Sequence, residues 1–375
     1  MYLKFLVIVF FAYTIFSDQL LINWDVVFAQ QVNKREHIEM KEKIKQIFND
    51  YRKERNPGAG LYVAVGDEVI IKEGMGLANL EKGLKIDTKT NFRLASVTKQ
   101  FTATAVLQLI NNNKIDFQTN LKEIFPEYPD YGKGITIYHL LTHTSGLIDY
   151  EDLIDDTVTI QVKDVDVLKL MLNTDSTYFP IGSQYRYSNT AYALLALTVE
   201  KYSGLRFAKY LEQNIFKPLK MDATIAFEDG ISVVPNRAYG YTKTDNKYEF
   251  TDQSVTSAVL GDGGIYSSIE DLIKWEKSLS EGEILPLELR KKAMTRQKLS
   301  DGTEIEYGFG WHLPKYKGFE VVYHTGSTYG FRNIIYRIPE KEIVIIILTN
   351  RNAGEEESTK HFSEEIVDIL LTVSH

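Results

Sequence analysis

The chain reads as an α+β fold, with one antiparallel sheet built from both ends of the sequence, helices flanking it, and a mostly helical stretch inserted between the two halves. Three observations predict this. Near the start, Leu61 to Val65 and Val69 to Ile71 are β-rich runs split by Gly66-Asp67-Glu68, the composition of a hairpin. Near the end, Phe331 to Ile338 and Ile343 to Leu348 repeat the pattern around Pro339-Glu340-Lys341-Glu342. Between them, from about residue 96 to 220, apolar side chains recur mostly at helical spacing.

The elements follow in order. Lys4 precedes the apolar run Phe5 to Phe16, short for a bilayer span but the size of a signal-peptide core, and Val27-Phe28-Ala29 offers small residues for cleavage before Gln30. Residues 1–29 are therefore expected to be a signal peptide, the protein to be exported to a periplasmic or extracellular space, and residues 36–375 to form a single domain. Left uncleaved, the same segment would be the only membrane attachment. Glu36 to Arg55 reads as a surface helix ended by Asn56-Pro57-Gly58. Thr136 is placed to cap a short helix from Ile137 to Leu141, and Gly204 closes a long helix begun near Thr190. The stretch from Asp222 to Leu260 is irregular. Gly261-Asp262-Gly263-Gly264 reads as close backbone packing, because the strand and lysine of a phosphate loop are missing. A last amphipathic helix is expected from about Glu355 to Leu371.

Composition narrows the function. The 375 residues carry 44% hydrophobic side chains, enough for a sizeable core, and a net charge of -8 with no basic stripe for nucleic acid. The absence of cysteine removes disulfides, thiolate metal sites and a cysteine nucleophile. His139 and His143 are four apart, but two ligands without a third are not a metal site, and they read as packing or capping residues. No Gly-x-Ser-x-Gly elbow occurs, which disfavours an α/β-hydrolase.

Chemistry concentrates in three places. Ser96 and Lys99 lie three apart at the start of an apolar-periodic helix, so hydroxyl and amine share one face. Burial there would lower the lysine pKa and let an uncharged amine take the serine proton, while the helix N-terminus favours an oxyanion. Tyr187 and Asn189, two apart in the loop feeding the next long helix, offer a phenol and an amide to one cleft. His324-Thr325-Gly326-Ser327 lies at the end of a predicted strand.

In this order and spacing, Ser96-x-x-Lys99, Tyr187-x-Asn189 and His324-Thr325-Gly326 resemble the serine β-lactamase and penicillin-binding family, in its class C-like branch of D-alanyl-D-alanine carboxypeptidases and esterases. The likeness runs from about Gly58 to Asn350 and takes in Leu140 to Leu147, Gly263 to Ser267 and Tyr307 to Trp311. It implies the β-lactamase/transpeptidase-like version of the predicted fold and needs no cofactor. It also implies Ser96 as nucleophile, Lys99 as base, Tyr187 as proton shuttle, an oxyanion hole from the N–H groups of Ser96 and Ser327, and Asn189 holding a substrate amide and Lys99. The substrate would be a small molecule or peptide. The resemblance also implies His324, Thr325 and Gly326 as substrate-binding residues; His324 stands where β-lactamases carry lysine, which moves the expectation from β-lactams toward peptides and esters. The alternative is a non-catalytic protein that keeps the fold and binds peptides or cell-wall fragments.

Overall fold

The structure is a computed structural model that describes residues 37–245, 247–352 and 359–373. The expected signal segment lies outside the described residues. The chain divides into two compact units, a large one over residues 50–364 and a small one of residues up to 49 and from 365 onward. In the small unit residues 37–47 are helical, and Met40, Ile44 and Phe48 are buried at four-residue spacing.

The large unit carries the antiparallel sheet. Its strands are β1 (Ala59–Val65), β2 (Glu68–Met75), β3 (Val322–Thr328), β4 (Phe331–Ile338) and β5 (Ile343–Thr349), in the order β3-β4-β5-β1-β2. Both predicted hairpins form. Val65 pairs with Glu68 and Ile338 with Ile343, and the halves join where Ala59 pairs with Thr349 and Val65 with Ile343. Central strand β5 is apolar at nearly every position because both of its faces are buried, so it lacks the alternation of a one-sided strand.

One side of the sheet packs on the main core through Tyr62, Ile335, Ile346 and Leu348. Helix α1 (Lys99–Asn111) runs through that core with ten of its thirteen residues buried; Phe101 packs 4.3 Å from Trp275, whose indole N–H donates to Gln100 at 2.9 Å. Helix α2 (Asn189–Ser203) lies against α1; the Ser188 hydroxyl caps it from the Ala191 N–H, and Gly204 ends it at φ 72°. Helix α3 (Ile269–Glu281) starts at a Ser268 cap and supplies Trp275. The predicted Ile137–Leu141 helix forms as well, its Thr136 N–H donating to His139 Nδ1.

The irregular stretch does hold structure. Tyr241–Thr244 and Lys247–Phe250 make a hairpin beside Arg351–Asn352, and Ile225–Ala226 flanks Ile265–Ser267. These strands are two to four residues long, too short for a periodicity to show. The expected last helix is present over Thr359–Val373, and its expected start at Glu355 lies outside the described residues.

Candidate active site

Two short strands set the site. Phe92–Arg93 pairs antiparallel with Tyr266 and Ser267, and Leu94 N–H donates to Ile265 O at 2.8 Å, so the turn after Arg93 lies against the glycine turn before Ile265. Ser96 sits within a 3₁₀ turn, Ala95–Thr98, and the α-helix begins only at Lys99. This corrects the expectation of Ser96 as the first residue of a continuous helix. Ala95 takes φ 50°, a left-handed conformation that costs a non-glycine residue about 1 kcal/mol and turns the chain sharply just before the serine. Strand β3 closes on the same turn. A Cβ on Gly326 would lie 1.9 Å from Leu94 O, so only glycine lets the strand approach and carry Ser327 to the serine.

Lys99 is fully buried and its amine has three partners: Asn189 Oδ1 at 2.8 Å, Asp262 O at 3.0 Å and Ser96 Oγ at 3.2 Å. Two of these only accept; the third is a hydroxyl. A neutral amine, with two N–H groups and one lone pair, satisfies all three when the lone pair faces the serine proton. Burial drives the amine toward that neutral form, pulling its pKa well below the ordinary lysine range against the opposing charges of Asp262, Asp149 and Glu151.

Tyr187 covers the amine, its ring centroid 4.7 Å from Lys99 Nζ. Its hydroxyl is buried without a hydrogen-bond partner among the described residues, and Ser96 is the neighbouring side chain that favours its ionised form. Burial still dominates and holds the phenol protonated, well above its usual range. The loop that presents it is pinned to His143, whose carbonyl accepts from Arg186 N–H and whose Nδ1 accepts from Ser188 N–H, both at 3.0 Å. The His143 ring lies 4.4 Å from that of Tyr187. Both histidines of the four-residue pair thus have structural partners.

Asn189, the first residue of α2, is held from three sides: Oδ1 by Lys99, backbone N–H on Asp149 Oδ2 at 3.0 Å, and Nδ2 on Glu151 Oε1 at 3.2 Å. Ser96, Asn189 and Ser327 line one cavity of about 50 Å³ together with Arg93, Tyr150, Glu151 and Asp262. A second cleft, of about 920 Å³, shares Glu151, Thr256, Ser327 and Thr328 with it. His324 lines neither. It is 1% exposed, donates from Nδ1 to Thr325 O at 2.6 Å and accepts at Nε2 from Tyr307 at 3.0 Å, and burial holds it neutral. The expectation of His324 as a substrate-binding residue is corrected by this placement: both ring nitrogens are used inside the protein. Thr325 follows it on β3, half-buried.

Two groups escaped the sequence reading. Asp262, 6% exposed, accepts from the Tyr150 hydroxyl at 2.9 Å while its own carbonyl binds Lys99. Its signal was an acid inside a glycine turn otherwise explained by packing, since a Cβ on Gly261 would meet Tyr192 O at 2.3 Å. Asp149 and Glu151, in the turn beginning at Tyr150, carried no periodic signal at all.

The family model described as Beta-lactamase matches residues 44–366. The chain belongs to the beta-lactamase family. Among relatives within it, a penicillin-binding protein of Bacillus subtilis (strain 168) is 28% identical over 341 residues, covering 86% of this chain and 73% of that protein. A D-aminopeptidase of Gluconobacter oxydans (strain 621H) is 27% identical over 310 residues, covering 80% of this chain and 58% of the relative's length. The octameric penicillin-binding protein homologue of Pyrococcus abyssi superposes with a TM-score of 0.74 at 25% identity, over 88% of this chain and 77% of that one. D-amino acid amidase of Ochrobactrum anthropi SV3 shares the fold at a TM-score of 0.75 and 21% identity, over 90% and 100% of the two chains. These family members are consistent with a serine hydrolase on the β-lactamase and penicillin-binding scaffold.

Proposed function

We propose that the protein is an exported acyl hydrolase of the class C-like branch that cleaves a peptide, amide or ester bond through an acyl-enzyme on Ser96. Uncharged Lys99 takes the Ser96 proton as Oγ bonds to the substrate carbonyl carbon. Protonated Tyr187 gives its proton to the leaving amine or alkoxide as the C–N or C–O bond breaks, and recovers one from Lys99. Water then enters by the same route and frees the acid. The N–H groups of Ser96 and Ser327 hold the oxyanion, with Thr325 and Gly326 shaping the wall that carries Ser327. Asn189 keeps Lys99 aimed at the serine.

The observation that carries this reading is the three-partner setting of Lys99, which leaves the amine lone pair for Ser96. Peptidase or esterase activity ranks above β-lactam hydrolysis, because buried neutral His324 offers no cation to a β-lactam carboxylate. A D-aminopeptidase among the relatives points the same way. The test is covalent labelling of the purified protein by a fluorophosphonate. Label on Ser96, absent from Ser96→Ala and Lys99→Ala, is the expected result; folded wild-type protein that stays unlabelled overturns it in favour of a non-catalytic binder.

A further inference from the structure

Asn189 has two polar ends, and both are already committed. Lys99 takes Oδ1, which turns the Nδ2 donors toward the cleft, and Glu151 Oε1 accepts one of them at 3.2 Å. An open amide NH₂ beside the nucleophile would serve the carbonyl of an N-acylated substrate. Here a carboxylate stands at that position instead.

Glu151 is exposed and lines both the Ser96 cavity and the larger cleft, so a ligand in either reaches it. Among the described residues no lysine or arginine forms an ion pair with it. The groups around it are mostly acidic: Asp149 and Asp152 on its own turn, with Asp262 across the cavity. Lys99 is the nearby cation; burial lowers its pKa to about 8, and Asp262 and Asp149 share its charge with Glu151. Arg93, on the cavity wall, directs its terminal nitrogens to Gln253 Oε1 and Ser257 O. The cleft therefore presents an excess of carboxylates over cations next to the nucleophile. Beyond Glu151 it widens over Ile154, Val158, Val255 and Tyr329, an apolar wall with room for a side chain.

We propose that Glu151 is the specificity residue of this site, and that it selects acyl groups bearing a free ammonium next to the scissile carbonyl, such as aminoacyl amides, aminoacyl esters and peptides with a free amino terminus, over their N-acylated counterparts. The ammonium sits where an acyl-amide carbonyl would otherwise meet Asn189. This rests on the acyl-hydrolase reading above.

The experiment compares kcat/KM of the full chain on the D and L forms of alanine p-nitroanilide with their N-acetyl derivatives, using p-nitrophenyl acetate as a reporter without an amine. The expected wild-type preference is at least about tenfold for the free amine. Glu151→Gln keeps an oxygen for Asn189 Nδ2 but removes the charge; its ratio of kcat/KM on the free amine to kcat/KM on the N-acetyl derivative should fall toward one through KM, while any change that passes through Lys99 or Asn189 shows equally on p-nitrophenyl acetate and cancels in that ratio. Glu151→Asp should keep part of the preference. A wild-type preference for the N-acetyl substrates, or an equal loss on all substrates in Glu151→Gln, overturns the proposal. Failure of wild type to hydrolyse the acetate or to take a fluorophosphonate label is a different result, and it removes the acyl-hydrolase reading and this proposal together.

Discussion

Lys99 stands between two walls of opposite character. On one side are acids and amides: Asp262 and Asn189 in contact with the amine, with Asp149, Glu151 and Tyr150 behind them. On the other are rings. Tyr187 and Tyr192 lie 4.7 and 5.5 Å from the amine, backed by His143, Tyr307 and His324, all buried and with the histidines neutral. The acid wall favours the ammonium and the dry wall the free amine. The dry wall prevails, since desolvation is the largest influence on Lys99 and its net effect is downward. In the proposed mechanism the two sides thus have separable tasks: the acid wall adjusts the pH at which the amine is free, and the ring wall removes water and passes the proton.

Breaking the ring wall should give the largest effect. Tyr187→Phe keeps the ring over Lys99 but deletes the hydroxyl proposed to protonate the leaving group, so kcat/KM on an aryl ester should fall by about 10²–10⁴. The acidic limb of its pH profile should stay in place, because no charge has been removed. A limb that moves would show that the phenol also sets the lysine charge, and the division of tasks would fail.

Breaking the acid wall should do the converse. Asp262→Asn keeps an oxygen for the Tyr150 hydroxyl and leaves the backbone carbonyl on Lys99 untouched. Only the negative charge goes. That charge favours the ammonium, so its loss lowers the Lys99 pKa further, and the lysine becomes free at lower pH. The rise of kcat/KM with pH should shift down by about one unit, with a plateau within a few fold of wild type. An unmoved limb, or one displaced upward, contradicts the assignment.

The walls differed in how legible they were. Ser96, Lys99, Tyr187 and Asn189 stood out because their chemistry depends on short spacings, three apart on one turn and two apart in a loop, that survive in a one-dimensional string. Both hairpins of the sheet were visible for a similar reason, since β-branched runs and tight turns are local. The carboxylates of the acid wall were not. Asp262 reaches Lys99 only because strands of two and three residues bring the 94–97 and 260–264 turns together, across 163 positions. The placement of His324 was hidden by the same logic: its partner Tyr307 comes from another segment, and nothing in His-Thr-Gly says whether the ring faces solvent or interior. The helix was started one turn too early, at Ser96, because apolar spacing does not distinguish a 3₁₀ turn from the first α-turn.

The finest test of the comparison is Tyr150→Phe. The Tyr150 hydroxyl donates to Asp262 Oδ2 and is one of the influences that keep this buried carboxyl from rising further, the others including the Lys99 charge. Without it, Asp262 holds its proton to higher pH, and near neutrality a smaller share of molecules carries the negative charge. Lys99 then loses part of what Asp262→Asn removes entirely. The acidic limb should move in the same direction but by a few tenths of a unit, and stability should drop by about 1–2 kcal/mol for the lost bond to a charged group. Because the phenyl ring still fills its place, packing is retained, and the double variant with Asp262→Asn should shift the limb no further than Asp262→Asn alone. Additive shifts would mean that Tyr150 acts on Lys99 by a path that does not run through Asp262.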